Sequence, residues 1–257
     1  MVLHDKKKCF ENRKYMLTYR MKVYKGGRRL ESVLRKEEKY LITILDSRRY
    51  MGTLEKLMLQ DTHNGAEGYQ IRSLYFDSLN DRDFIEKEQG LSVRKKIRLR
   101  LYNPKSTYAV LEMKQKQGEN QLKRSLKIER EDAILLTKGI YTPLLNYKQP
   151  FARECFSIMN MDCYRPKTIV EYNRKAFIAR ENRIRITFDS FIRATESCYD
   201  LFSEKLCLYP VMDQANVVME IKYNGFLLAY IKDIVSEVNR SSLSVSKYCL
   251  GRSISIK

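Results

Sequence analysis

The sequence predicts an α+β protein built on a mainly antiparallel sheet. About eight segments are rich in β-branched and aromatic residues, and most of them alternate apolar with charged side chains at a period of two. Only a few stretches show the 3.6-residue period of a helix. Many strands with few helices are typical of an α+β fold.

The elements follow from these periods and from the turn residues between them. The predicted strands cover 35–45, 69–77, 93–102, 108–115, 121–128, 167–179, 183–194 and 217–223. The predicted helices cover 47–60, 78–90, with Ser78 as N-cap and Gly90 as terminator, 129–161, with a break near Pro143 and Pro150, and 227–238.

Composition favours one large domain that carries a basic extension. The chain has 257 residues, of which 44% are hydrophobic, and no Pro-rich or Ser-rich linker divides it. Residues 1–36 contain twelve Lys or Arg and three acidic residues. We therefore expect a basic amino-terminal arm over 1–32, of the kind that is usually a solvated tail, and a folded domain over 33–257.

Charge and cysteine usage restrict the partners and the compartment. Lys and Arg number 49 against 31 acidic residues, which gives a formal charge of +18 and points to a large anionic ligand. Six cysteines without a CxxC pair, no signal peptide and no apolar run of about 18 residues predict a cytoplasmic protein without a membrane span. Zinc-finger, RNP-type and Walker A motifs are absent from the sequence, so we expect no specific nucleic acid.

Most predicted strands carry one ionic face. Arg98 and Arg100 share a face opposite Leu99 and Leu101, and similar alternation occurs at 111–114, 183–186 and 219–223. By alternation alone, an ordinary open sheet with its charged face in water fits this pattern better. The abundance of Arg, whose planar fork matches phosphate oxygens, favours instead a sheet that closes with its ionic face inward around a polyanion.

Eight motifs in order give the sequence a family resemblance. They are RKEEKY at 35–40, YQIRSLYFDS at 69–78, EKEQG followed by RKKIRLRLY at 86–102, LEMK at 111–114, EYNRKAF at 171–177, RIRITFD at 183–189, MEIK at 219–222 and SVSKY at 244–248. Over residues 33–250 the chain resembles the catalytic domain of the vacuolar transporter chaperone (VTC) complex, which makes polyphosphate and belongs to the triphosphate tunnel metalloenzymes. The resemblance is to a free-standing domain of bacterial type.

The resemblance implies a closed antiparallel β-barrel of about eight strands, which forms a basic tunnel with helices packed outside. It implies phosphate-binding roles for Lys39, Arg98, Arg100, Lys114, Lys123, Arg174, Arg185, Ser246 and Lys247, although Lys123 is hard to separate from Arg124. The catalytic residues would be Lys39, Arg98, Arg100, Arg174, Arg185 and Glu220. Glu220 would bind the metal, with Glu112 and Glu37 as weaker candidates and Lys222 as a lesser member of the site.

The function expected from this resemblance is a polyphosphate polymerase-like phosphotransferase. With Mn²⁺ or Mg²⁺ it would move the γ-phosphoryl group of a nucleoside triphosphate onto inorganic polyphosphate. Two alternatives stay open at this point: a tripolyphosphatase or triphosphatase that uses water as acceptor, and a noncatalytic polyphosphate-binding module.

Overall fold

The computed structural model describes residues 35–118, 120–236 and 245–255, so the expected arm over 1–32 lies outside the described residues. The strands are β1 Arg35–Thr43, β2 Leu59–Gln60, β3 Tyr69–Asp77, β4 Val93–Leu101, β5 Tyr108–Gln117, β6 Asn120–Glu129, β7 Arg165–Ile178, β8 Arg185–Thr195, β9 Tyr209–Pro210 and β10 Asn216–Asn224. The helices are α1 Ile44–Leu57, α2 Arg82–Glu88, α3 Arg130–Thr137, α4 Pro150–Met161, α5 Ala229–Ser236 and α6 Lys247–Arg252, and short 3-10 helices occupy Thr142–Asn146 and Glu181–Arg183.

The strands form one large antiparallel sheet. Eight strands are paired in the order β1, β10, β8, β7, β3, β4, β5, β6, while the two-residue strands β2 and β9 pair with β7 and β8. All pairings in the described residues are antiparallel, which confirms the α+β prediction. No backbone pairing joins β1 to β6, the two ends of this path, within the described chain.

One face of the sheet is covered by helices. Apolar side chains of β3, β4, β5 and β6 pack with those of α3 and α4 into one buried cluster. A second cluster joins β1, β8 and β10 to α1 and α5. Helices therefore occupy the outer face, where the apolar side of each alternating strand buries its surface.

The opposite face curves inward and is lined by the charged positions. The clearest sign is a contact between strands far apart in the sheet: the Nζ atom of Lys114 on β5 lies 3.4 Å from Oε2 of Glu37 on β1. Five strands, β10, β8, β7, β3 and β4, lie between these two along the hydrogen-bonded path. We call this surface the concave face.

Helix α6 lies across one end of the concave face. The Tyr248 ring is fully buried against Tyr75 of β3, with 5.3 Å between ring centroids, and its hydroxyl donates to Asp77. Gly251 lies so close to β7 that an added Cβ would stand 2.7 Å from Cγ2 of Val170 and 2.9 Å from Oγ1 of Thr168. A glycine is therefore needed for the helix to dock at this distance.

The sequence located the eight long strands to within about three residues, with larger errors for some helices. The second helix begins at Arg82, after Asp81, so Ser78 is not its N-cap residue. Asp77 instead accepts the backbone N–H groups of Asp83 and Phe84, each at 2.9 Å. Helix α6 was not predicted, because six residues are too few to show a helical period.

In the described residues, no helix is long and apolar enough to cross a bilayer.

Gly251→Ala should loosen the docking of α6. The added methyl group would overlap Val170 and Thr168, so we expect the free energy of unfolding to fall by about 1–3 kcal/mol in urea titrations. Gly52→Ala is the matched control, because Gly52 lies in α1 with nothing within 4 Å of an added Cβ, and alanine there should be neutral or stabilising by up to about 1 kcal/mol. Equal effects of the two substitutions would contradict the close approach.

Candidate functional site

The concave face gathers a dense set of charged side chains that we call the ionic cluster. In the described part of the chain its cations are Lys39, Lys96, Arg98, Arg100, Lys114, Lys123, Arg174, Arg185, Lys222 and Lys247. Its carboxylates are Glu37, Asp61, Glu112, Asp189 and Glu220. The cluster thus holds five more cations than carboxylates.

Strands β1 and β10 contribute two glutamates and two lysines. The register pairs Lys39 with Glu220 and Glu37 with Lys222, so like charges do not face each other directly. Lys39 Nζ lies 2.8 Å from Glu37 Oε1 and 3.5 Å from Glu220 Oε1, and Lys222 Nζ lies 2.8 Å from Glu220 Oε2. Burial opposes ionisation of Glu220, but the charges of Lys222 and Lys39 hold its pKa well below the usual range.

Asp189 links β7, β8 and α6. This fully buried carboxylate accepts from Arg174 through Nε at 2.6 Å and Nη2 at 2.8 Å, and Lys247 Nζ lies 2.5 Å from it. Burial acts to raise the pKa of Asp189, but Arg174 and Lys247 outweigh burial and lower that pKa to about 2. Arg174 also reaches within 4.0 Å of Glu220, which connects this group to the previous one.

Glu112 of β5 contacts cations of β4 and β6. Arg98 donates to its Oε2 from Nε at 2.7 Å, Arg100 lies 3.7 Å from the same oxygen, and Lys123 pairs with Oε1. Against the effect of burial, these three cations lower the pKa of Glu112 to about 2. Arg98 also donates to the hydroxyl of Tyr75 at 3.1 Å, so its guanidinium is held in place from two sides.

Lys96 approaches α6 from β4. Its Nζ donates to Oγ of Ser246 at 3.0 Å and lies over the rings of Tyr75 and Tyr248, at 5.8 and 5.5 Å from their centroids. Burial lowers the pKa of Lys96 to about 8. Ser246 is the N-cap of α6, and Lys247 is the first residue of that helix.

Arg185 lies toward the other end of the concave face. It donates from Nη2 to Asp61 at 2.7 Å and to the Tyr69 hydroxyl at 3.0 Å. About a third of its side chain is exposed. Arg185 is thus a peripheral member of the ionic cluster.

The structure brings every predicted site residue to the concave face, while their roles stay predictions. It separates Lys123 from Arg124: Lys123 pairs with Glu112, whereas Arg124 points to the outer side and pairs with Glu154 of α4.

Sequence reasoning missed Asp189, Lys96 and Asp61. Strand alternation carried a signal for two of them, because Asp189 lies four residues after Arg185 and Lys96 lies two before Arg98. No pattern in the sequence marked Asp61, which reaches the site from a loop.

The implied divalent metal fits Glu220 and Glu37. Their carboxyls lie within hydrogen-bonding reach of each other, and carboxylate oxygens are the ligands that Mg²⁺ and Mn²⁺ prefer. No three His, Cys, Asp or Glu side chains converge as a metal cage in the described residues. Two carboxylates suffice for an ion that takes its remaining ligands from substrate phosphates and water. Glu220, Glu37 and Glu112 each contact three cations, so the proximity of the Glu220 and Glu37 carboxyls, rather than charge balance, favours that pair over Glu112.

Acid should weaken the fold through Asp189. Its pKa is lowered from 3.8 in the unfolded chain to about 2, so its contribution is fully present above pH 3.8 and is lost as the pH falls through 2. We expect Asp189→Asn to remove a part of the acid dependence worth on the order of 2 kcal/mol, measured by urea unfolding between pH 6 and pH 2. Asp233→Asn, at an exposed position of α5, is the control. The same pH slope in both variants would refute the assignment.

Comparison with known proteins gives the same fold and a family. A candidate adenylyl cyclase from Hippeastrum, described as having a dominant triphosphatase activity, matches with 14% identity and a TM-score of 0.50, over 84% of this chain and 94% of that one. A candidate adenylate cyclase from Bacillus halodurans matches with 12% identity and a TM-score of 0.49, over 83% and 95% of the two chains. No curated protein sequence matches significantly. The model of the VTC domain matches residues 34–256, nearly the whole chain, and the protein therefore belongs to the VTC domain family.

Proposed function

We propose that this chain is a metal-dependent polyphosphate polymerase-like phosphotransferase. It would take the γ-phosphoryl group from a nucleoside triphosphate and add it to inorganic polyphosphate inside a basic tunnel. The observation that carries the proposal is the convergence of ten cations from seven strands and one helix on a single concave face. Membership in the VTC domain family supports it.

The charge balance of the ionic cluster favours a polyanion. Five carboxylates neutralise only half of the ten cations, and like charges crowded on a partly buried surface are costly. Each phosphate group of a triphosphate or polyphosphate brings acceptor oxygens that arginine can bind bidentately. A bound polyphosphate would supply the missing negative charge along the length of the face.

The tunnel itself is part of the proposal. The contact between Lys114 of β5 and Glu37 of β1 means that the sheet bends through most of a turn. Closure between β1 and β6 would complete a barrel of eight long strands with helices outside. The proposal keeps 33–257 as the tunnel domain and 1–32 as a basic arm.

The cations of the ionic cluster would have two roles, binding phosphate oxygens and neutralising the charge of the transferring group. Arg98, Arg100 and Arg174 would hold phosphate oxygens in line, together with Lys39 and Arg185, and would offset charge on the transferring group. Lys114, Lys123 and Lys247 would hold further phosphates of the chain, with the Ser246 hydroxyl donating a hydrogen bond. A terminal phosphate is already anionic, so the acceptor needs no general base.

The metal would be held by Glu220 and Glu37. When bound, Mn²⁺ or Mg²⁺ would neutralise phosphate charge and orient the oxygens of the donor. Lys222 and Lys39 hold the pKa of Glu220 well below its usual range despite burial, and Lys39 Nζ lies 2.8 Å from Glu37 Oε1. Glu112 would act mainly as the carboxylate that positions Arg98 and Arg100.

A hydrolase is the second candidate, since the same phosphate-binding residues could position a triphosphate for transfer of its phosphoryl group to water. The similar Hippeastrum protein is described as a triphosphatase, which favours this alternative. Incubation with ATP and with tripolyphosphate, followed by a gel for long chains, separates the two. Long chains indicate the polymerase, phosphate release alone indicates the hydrolase, and neither product indicates a binding module.

We place the protein in the cytoplasm as part of the same proposal. Five cysteines in the described residues are free thiols, as expected in a reducing compartment. Nucleoside triphosphate and polyphosphate would be its partners.

Glu220→Gln should abolish metal-dependent polyphosphate synthesis. The amide keeps the shape of the side chain but removes the charge that would bind the metal. Mutation of residues that only orient a metal ligand typically lowers metal affinity or activity by roughly 10–100-fold, and loss of a ligand should cost more. We therefore expect the rate of chain formation from ATP with Mn²⁺ to fall by at least about 100-fold.

Glu129→Gln, an exposed glutamate at the end of β6, is the matched control and should leave the rate unchanged. Circular dichroism would check that both variants fold. Synthesis at the original rate by a folded Glu220→Gln variant would exclude the metal role.

A further inference from the structure

Three aromatic side chains meet at the end of the concave face that lies away from α6. The ring centroids of His63 and Tyr69 are 5.8 Å apart, those of Tyr69 and Tyr102 are 6.3 Å apart, and those of His63 and Tyr102 are 6.5 Å apart with the two planes tilted by 23°. We call these residues the aromatic trio.

Two members of the trio lie outside the apolar core, while Tyr69 is partly buried against it. Tyr102 is 48% exposed, and the side chain of His63 is 73% exposed. Burial contributes little to holding exposed rings together. A ring surface presented to solvent beside an anion-binding face is instead suited to a flat, partly apolar ligand.

The loop that carries His63 is fixed in place. The side-chain amide of Asn64 makes two hydrogen bonds to the backbone of β7. Its Nδ2 donates to the carbonyl oxygen of Ala176 at 2.8 Å, and its Oδ1 accepts from the Ala176 N–H at 3.1 Å. Gly68, with φ of +88°, passes so close to β7 that an added Cβ would stand 2.3 Å from the carbonyl oxygen of Arg174. His63 is thereby held beside the ionic cluster without any ligand.

Polar contacts join the trio to the predicted phosphate-binding residues. Asp61 accepts from Arg185 at 2.7 Å and lies 2.8 Å from Nδ1 of His63. The Tyr69 hydroxyl accepts from the same Arg185 at 3.0 Å, and Tyr69 is the register partner of Arg174 across β3 and β7. A ligand stacked on the trio would therefore extend its charged part directly onto Arg185 and Arg174.

We propose that the aromatic trio binds the base of the nucleoside triphosphate donor. The inference rests on the proposed function, in that the phosphates of the same nucleotide occupy the ionic cluster. Stacking works for every base, since each has a π-face. The trio would thus distinguish nucleotides from inorganic tripolyphosphate while accepting different bases.

The test compares a ligand that has a base with one that lacks it. Isothermal titration with Mn²⁺ would measure affinities for a nonhydrolysable ATP analogue and for inorganic tripolyphosphate. In Tyr102→Ala we expect the nucleotide affinity to fall about 10-fold and the tripolyphosphate affinity to stay constant. Tyr102→Phe, which keeps the ring, should bind both ligands like the unmodified protein.

His63→Ala provides an independent variant at an exposed loop position, with the same expected difference between the two ligands. Tyr209→Ala is the control, because Tyr209 is 55% exposed on β9, which pairs with the far end of β8.

The outcomes separate the two levels of the proposal. If the unmodified protein does not bind tripolyphosphate, the proposed function fails. If it binds tripolyphosphate but the Ala variants keep their nucleotide affinity, or lose affinity for both ligands equally, the base site is overturned while the phosphate site stands.

Discussion

Confinement of like charge on the concave face is the constraint on which the rest of the structure depends. Ten cations can share this surface only because carboxylates are placed between them. Four of the five carboxylates contact two or more cations, as Glu112 does with Arg98, Arg100 and Lys123, and Asp189 with Arg174 and Lys247. The lowered pKa values of both carboxyls, about 2, follow from this placement. The same balance leaves a surplus of positive charge that a polyanion can neutralise.

The fold places most of its hydrophobic burial away from the ionic cluster. Two apolar clusters lie between the outer face of the sheet and the helices, and a third, smaller cluster packs Tyr248 of α6 against Tyr75 and Tyr172 at one end of the concave face. Helix α6 takes part both in packing and in the ionic cluster. Gly251 lets the helix dock on β7, while Lys247 and Ser246 at its beginning contact Asp189 and Lys96. Loss of this short helix would therefore remove site residues as well as packing.

Alternation in the strands predicted most of the site. Arg98 and Arg100, and Glu220 and Lys222, share faces because residues two apart on a strand point the same way. The same rule places Asp189 and Lys96 on the ionic face, but their partners Arg174, Lys247 and Ser246 lie on other elements, so alternation alone did not mark them as site residues. The family motifs contributed the roles, which no period in the sequence contains.

The sequence by itself determined the eight long strands, the ionic face of most of them and the family, because local periodicity and ordered motifs are properties of neighbouring residues. Only the tertiary structure decided which ionic faces meet, since the contact between Lys114 and Glu37 depends on the curvature of the whole sheet. It also decided that Lys123 rather than Arg124 joins the cluster, and that the loop of Asp61 and His63 lies beside Arg185. Contacts between distant positions, 77 residues apart for Lys114 and Glu37 and 124 for Arg185 and Asp61, arise from packing and register, which no local pattern encodes.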